Sequence, residues 1–299
     1  MFGEWLWAVF TVTAAGAQTM RNVMQKELTA TLGTVGATHV RFLFGFPFAV
    51  LFLIVTSTVT GTPPPVPNGT SLAWTAVGAG AQFGATALML AAMNTRSFLV
   101  AISYTKTEPV LVLVFAVVFL AELPTLMVVA AVVIATAGVL LMSWPSGALS
   151  RDDMVRTTAL GIGSGALFAL SAVCYRGGIQ TSGAGHFVVA ASSTLVVALA
   201  LQTATVTALL LIRRRDTLRE ILRLWRPSMT AGFLGALASQ FWFLAFAIQS
   251  AAAVRTLGLV EILFAQIVSR RLFNQKTSAL EAAGIVLLVI GVIMILGGG

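Results

Sequence analysis

A chain of 299 residues that is 58% hydrophobic and only 9% charged, with a mean hydropathy of +0.95, has too little polar surface to cover a water-soluble fold. Its net charge of +8, from 18 Lys and Arg against 10 Asp and Glu, sits between apolar runs, not in a basic stripe interleaved with aromatics, so no nucleic-acid partner is expected. The single cysteine, Cys174, excludes an intramolecular disulfide.

About 20 apolar residues cross a bilayer as helix, and on that measure ten segments follow in chain order. The first is about Glu4 to Met20. Its Ala15-Gly16-Ala17 has the small-residue form of a signal-peptidase site, but residues 1 to 4 lack the positive charge of a signal peptide, so it is read as a helix. After Arg21 to Leu28 comes the second, Val35 to Val59, interrupted by Pro47; the four prolines of the Thr60 to Ser71 loop end it. The third is Leu72 to Met93. The fourth, Ser97 to Ala121, and fifth, Thr125 to Trp144, are separated only by Glu122-Leu123-Pro124 and so form an antiparallel pair. Ser146 to Thr157 links to the remaining five: Thr158 to Tyr175, His186 to Ile212, Ser228 to Ala247, Ala251 to Ser269 and Ser278 to Leu296.

The chain repeats itself. A shift of about 153 residues sets Ser97 on Ser250, Glu108 on Glu261 and Gly138 on Gly291. Met20-Arg21 closes the first segment as Tyr175-Arg176 closes the sixth, and His39 and His186 stand near the starts of the second and seventh. Repeat 1 spans 1–148 and repeat 2 spans 149–299. Five segments per repeat is an odd number, so the second repeat enters the membrane from the opposite side and the repeats are inverted. The expected fold class is an all-α polytopic membrane protein. The glycine runs at 78–84 and 161–165 are expected to pack helices closely.

Pro109, the Ala121-Glu122 turn, the Ala137-Gly138-Val139 ending and Arg41-Phe42 resemble the EamA-type half of the drug/metabolite transporter superfamily, and the resemblance runs the length of the chain. It implies ten transmembrane helices, five plus five inverted, around a central cavity that opens alternately to the two sides. Among the branches of the superfamily the chain is most similar to bacterial amino-acid exporters, which implies export of aromatic or hydrophobic amino acids across the inner membrane. The second copy departs from the pattern, with Ile262 in place of the proline and Gln275 in place of the turn glutamate.

Fourteen of the 18 cations, the Arg213 to Arg226 cluster among them, fall on one side of the segments; Arg176 falls on the other, and Arg41, Lys106 and Arg255 lie within segments. The loaded side is expected to be cytoplasmic, which leaves both termini external. The arginine cluster is expected to set orientation through anionic lipid.

A charge at mid-bilayer costs about 2.5–3.5 kcal/mol on insertion scales, so an intramembrane charge needs a hydrated cavity or a partner. Arg41, Lys106, Glu108, Arg255 and Glu261 are such charges, and the two glutamates are repeat-related near the centres of their segments. They either pair among themselves to lock helices together, or offer a zwitterion a cation for its carboxylate and an acceptor for its ammonium. Pro109 frees the carbonyl of Thr105. Tyr104 shares a helical face with Glu108, and Gln82, Gln240 and Trp242 either line the cavity or hydrogen-bond between helices. The candidate substrate-binding set is therefore Arg41, Gln82, Tyr104, Lys106, Glu108, Gln240, Trp242, Arg255 and Glu261. No metal site, cofactor or nucleotide loop is expected, nor an enzymatic activity. The partners expected are a small-molecule substrate and membrane lipid, with a monomer sufficient and a homodimer compatible. The functional alternatives are a multidrug or cationic-metabolite exporter of the same fold, which calls for an excess of cavity acid, and an integral-membrane enzyme or receptor, which has no need of two similar halves.

Overall fold

The computed structural model describes residues 5–95, 105–142, 151–264, 266 and 278–298. Among the described residues there are helices and no strands. In chain order they are α1 Leu6–Leu43, α2 Phe46–Thr60, α3 Gly69–Thr95, α4 Glu108–Leu120, α5 Leu126–Met142, α6 Arg151–Gln180, α7 Phe187–Arg213, α8 Arg215–Arg223, α9 Trp225–Ile248, α10 Ala251–Leu257, a 3₁₀ turn Gly258–Val260, and α11 Ala279–Gly297. Among the described residues six stretches are long and apolar enough to cross a membrane, the first being the broken run Leu6–Thr60; α4 and α5 are shorter apolar helices. Large apolar side chains such as Val59, Val118 and Ile293 are exposed. Patches of that kind are untenable in water and are suited to lipid. The chain is a multi-pass membrane protein.

The local signals act largely as the residue types dictate. Pro47 falls in the first turn of α2, where its missing N–H removes no helical bond, so the interruption lies just before it, at Phe44-Gly45. The proline loop runs from Gly61 to Asn68, and Asn68 Oδ1 accepts from Ser71 N at 2.8 Å to start α3. The turn between α4 and α5 closes with Ala121 in the left-handed region (φ 54°) and Glu122 N donating to Ala116 O at 3.2 Å. Ser278 and Glu281 form a capping box at the start of α11.

Three expectations fail. Residues 151–157, expected in the link between the halves, belong to α6. Arg21 to Leu28 is not a connection: α1 continues through it, and the break comes at Gly33 (φ 66°, ψ 175°). The polar residues that suggest a loop are turned into the protein, since Arg21, Asn22 and Gln25 are all buried. The fourth and ninth segments are not continuous helices either. The chain turns at Lys106-Thr107 before α4 begins, and α10 gives way to the 3₁₀ turn before helix resumes at Glu261.

The chain divides into two compact units, residues 1–83 with 174–248 and residues 84–173 with 249–299, so each draws on both halves of the sequence. In the first unit α1 packs along α9, with Phe10 against Phe241 (5.8 Å between centroids), and α2 packs on α7, where Thr56 Oγ1 donates to Ser192 Oγ at 3.2 Å. The small α8 sets Ile221 into this unit. In the second unit α5 crosses α11. A β-carbon at Gly138 would lie 2.6 Å from Gly284 O, and one at Gly291 would lie 2.8 Å from Ala131 O. The 153-residue shift turns Ala131 into Gly284 and Gly138 into Gly291, so each contact is the repeat-image of the other.

Gly33 occupies a backbone region open essentially to glycine alone, yet a β-carbon there meets nothing within 4 Å. Gly33→Ala is therefore expected to cost about 1–3 kcal/mol through backbone strain without any clash. A lowered melting temperature in the detergent-purified variant, against an unchanged one, checks this.

Candidate functional site

The second unit gathers four of the predicted residues. Thr107 precedes the first residue of α4, Glu108, and Pro109 follows it in the first turn, where a proline suits the helix. A carboxylate in the first turn also meets the positive end of the helix dipole. On the other side of the site, Ser250 caps α10 by accepting from Ala253 N at 3.3 Å; Arg255 lies in its last turn, and the tightened 3₁₀ turn from Gly258 delivers Glu261. The two glutamates, expected near segment centres, thus stand where helices are interrupted. Pro109 marks the break in the first copy, and Gly258 serves where the second copy has Ile262 in the proline's position.

The charges pair crosswise. Lys106 Nζ lies 2.5 Å from Glu261 Oε2, and Arg255 Nε lies 2.9 Å from Glu108 Oε1. Each glutamate takes its cation from the other half of the chain. All four residues are buried, Glu261 to 1% exposure. Two cations and two carboxylates sum to zero, which is the condition under which such groups are tolerated away from water. Gly165 of α6 admits the irregular backbone: a β-carbon there would lie 2.8 Å from Thr105 O and 3.1 Å from Thr107 Oγ1. The Thr105 carbonyl is thus covered by a glycine helix face; Pro109, in the first turn of α4, removes no helical bond, so the expectation that it frees this carbonyl fails.

The first unit holds the other described candidates. Arg41 is buried, its Nη2 donating to Ser239 Oγ at 3.1 Å and its guanidinium 5.5 Å from the Phe42 ring centroid. Gln82 Oε1 accepts from Tyr175 Oη at 3.0 Å and from Gln202 Nε2 at 3.1 Å. Gln240 Nε2 donates to Ser192 Oγ at 2.8 Å, and Trp242 Nε1 to Gln18 Oε1 at 3.0 Å. These are bonds between helices. Tyr104 lies outside the described residues.

Sequence reasoning missed Arg21, Gln18, Tyr175 and Gln202. Arg21 is 1% exposed, and Asn22 Oδ1 accepts from its Nε at 3.2 Å and its Nη2 at 2.6 Å. Its side chain and that of Arg41 meet at Gly235, where a β-carbon would lie 2.9 Å from Arg41 Cγ and 3.4 Å from Arg21 Cδ. The signal was the repeat itself: Arg176, aligned with Arg21, also lies inside a helix, donating from Nη1 to Phe246 O. Both arginines leave the count of loop cations. His186 stays at a helix start, accepting from Val188 N, whereas His39 is fully buried, its Nε2 3.0 Å from Thr207 Oγ1.

Comparison with known proteins gives this arrangement a setting. Residues 5–144 match the EamA-like transporter family. The matched domain runs from the start of α1 through α5, and so carries Lys106 and Glu108. A solved structure titled only "Crystal structure of protein" is similar in fold, with a TM-score of 0.70 at 13% identity over 96% of this chain and 94% of that one. No curated protein matches the chain.

Gly165→Ala is expected to lower stability by about 1–3 kcal/mol, because the atom its β-carbon strikes is backbone that cannot swing away. Thermal melting of the purified variant checks it, and melting equal to wild type contradicts the close approach.

Proposed function

We propose that the protein is a secondary transporter of the drug/metabolite type that carries amino acids, or small metabolites with the same paired charges, by alternating access between two inverted five-helix repeats. The observation that carries the substrate class is the neutral set Lys106, Glu108, Arg255 and Glu261 at two interrupted helices. Interrupted helices at membrane depth are where transporters of this kind bind substrate. A zwitterion brings one cation and one anion, so its carboxylate replaces a glutamate opposite Lys106 or Arg255 while its ammonium takes the glutamate released. Every buried charge then has a partner with and without substrate, and the cost of an unpaired one is avoided at each stage.

The repeat-image contacts of α5 with α11 and the crossed ion pairs support the inverted-repeat reading, as does the family match over the first repeat. The equal count of cations and carboxylates in the set favours amino acids over cationic drugs. The matched family favours a transporter over an enzyme or receptor. The loop cations that remain, above all Arg213 to Arg226, favour external termini and a bacterial inner-membrane location.

The test is flux into proteoliposomes across a panel of aromatic and aliphatic amino acids, their decarboxylated amines and their deaminated acids. Loss of one charge-assisted hydrogen bond is worth about 1.5–3 kcal/mol, so amino acids are expected to be carried roughly 10- to 100-fold better than either single-charge analogue. Equal flux of the amines would return the assignment to a cation exporter, and no flux of any compound on the panel would remove the amino-acid reading.

A further inference from the structure

The nine-residue helix α8 joins α7 to α9, two helices long enough to cross a membrane, and so lies where a bilayer meets water. It presents two opposite faces. Arg215, Arg219 and Arg223 recur at every fourth residue and share one of them. With the flanking Arg213, Arg214 and Arg226 they make six exposed arginines against Asp216 and Glu220 alone in that stretch. Asp216 neutralises little of this, since its ion pair with Arg219 (3.2 Å) is at the open surface. Beside the arginines stand Leu222, 57% exposed, and Trp225, 50% exposed, with the Arg226 guanidinium 5.5 Å from the Trp225 ring centroid. Exposed leucine and tryptophan next to arginine suit the boundary between headgroups and acyl chains.

The opposite face turns inward. Ile221 is fully buried, and a β-carbon at Gly36 would lie 2.9 Å from Thr217 Cγ2 and 3.9 Å from Ile221 Cδ1. Gly36 comes three residues after the Gly33 break, on the 34–43 stretch of α1 that carries His39 and Arg41. α8 therefore bears directly on the stretch of α1 that follows the Gly33 break.

We propose that α8 and its flanking arginines form a binding site for anionic phospholipid, with Leu222 and Trp225 at the acyl boundary, and that lipid bound there steadies residues 34–43 of α1. The phosphate charge supplies attraction within a Debye length, and the acyl chains supply the apolar contact. A soluble phosphate offers only the first of these and binds weakly.

The test uses the full-length protein in a zwitterionic detergent-lipid mixture, with short-chain phosphatidylglycerol, short-chain phosphatidylcholine or glycerol phosphate added at equal concentration. Phosphatidylglycerol is expected to raise the melting temperature by at least about 2–4 °C over phosphatidylcholine, with no rise from glycerol phosphate. The R215Q/R219Q/R223Q variant should lose most of that shift, and Arg156→Gln, an exposed cation elsewhere, should keep it. Hydrogen exchange reads the second half of the proposal: phosphatidylglycerol should slow exchange across 34–43 severalfold in the wild type and not in the triple variant. An equal shift from phosphatidylcholine or glycerol phosphate, or a full shift in the triple variant, overturns the site. Unchanged exchange across 34–43 in the wild type overturns the coupling to α1.

Discussion

Four buried charges that must satisfy one another set the terms for the second unit. A lysine or glutamate inside a membrane is costly unless a partner of opposite sign lies within contact distance. Here the partners come from distant parts of the chain, Lys106 from Glu261 and Glu108 from Arg255. Pairing of that kind dictates where the helices stop. Lys106 belongs to the turn before α4, and Glu261 follows the 3₁₀ turn after α10; uninterrupted helices would hold each side chain at a fixed angle and height set by 3.6 residues per turn. The breaks release that constraint. Gly165, pressed on the Thr105 carbonyl, makes room for one of them.

The frame that carries the site is built from small residues. Gly138 and Gly291 bring α5 and α11 to backbone contact at two points related by the 153-residue shift, which gives dispersion and weak C–H···O contacts in place of the hydrophobic drive that lipid removes. The first unit works differently. Its helices are joined by side-chain amides and hydroxyls, the Gln82–Tyr175–Gln202 cluster and the Gln240–Ser192 bond among them, and by the two arginines that meet at Gly235. A buried amide network fixes register because each donor and acceptor must be met.

Much of the architecture was legible because bilayer physics writes it in long apolar runs and in prolines. The loop at 61–68, the turn after Ala121 and the start of α11 at Ser278 follow from residue types whose backbone preferences are strong. The intramembrane charges were legible for the same reason, as rare residues in apolar surroundings. Their partners were not: under the 153-residue shift Lys106 falls on Leu259 and Arg255 on Ile102, so symmetry identifies the two glutamates and says nothing of the cations that meet them. The break at Gly33 carries no sequence signal, because a lone glycine between Leu32 and Thr34 reads equally as helix packing or as a turn. Arg21 was misread because an arginine beside an asparagine, a glutamine and a lysine has the composition of a loop, and only tertiary packing turns three of those four side chains inward.

The pairing of Lys106 with Glu261 is the claim on which the rest leans most heavily, and a double-mutant cycle on stability measures it directly. Removing one member of a buried pair leaves the other charge uncompensated, so Lys106→Gln and Glu261→Gln should each cost about 3–5 kcal/mol. The double variant K106Q/E261Q, with no charge left to strand, should cost clearly less than the two single losses combined. Losses that simply add would contradict the pair.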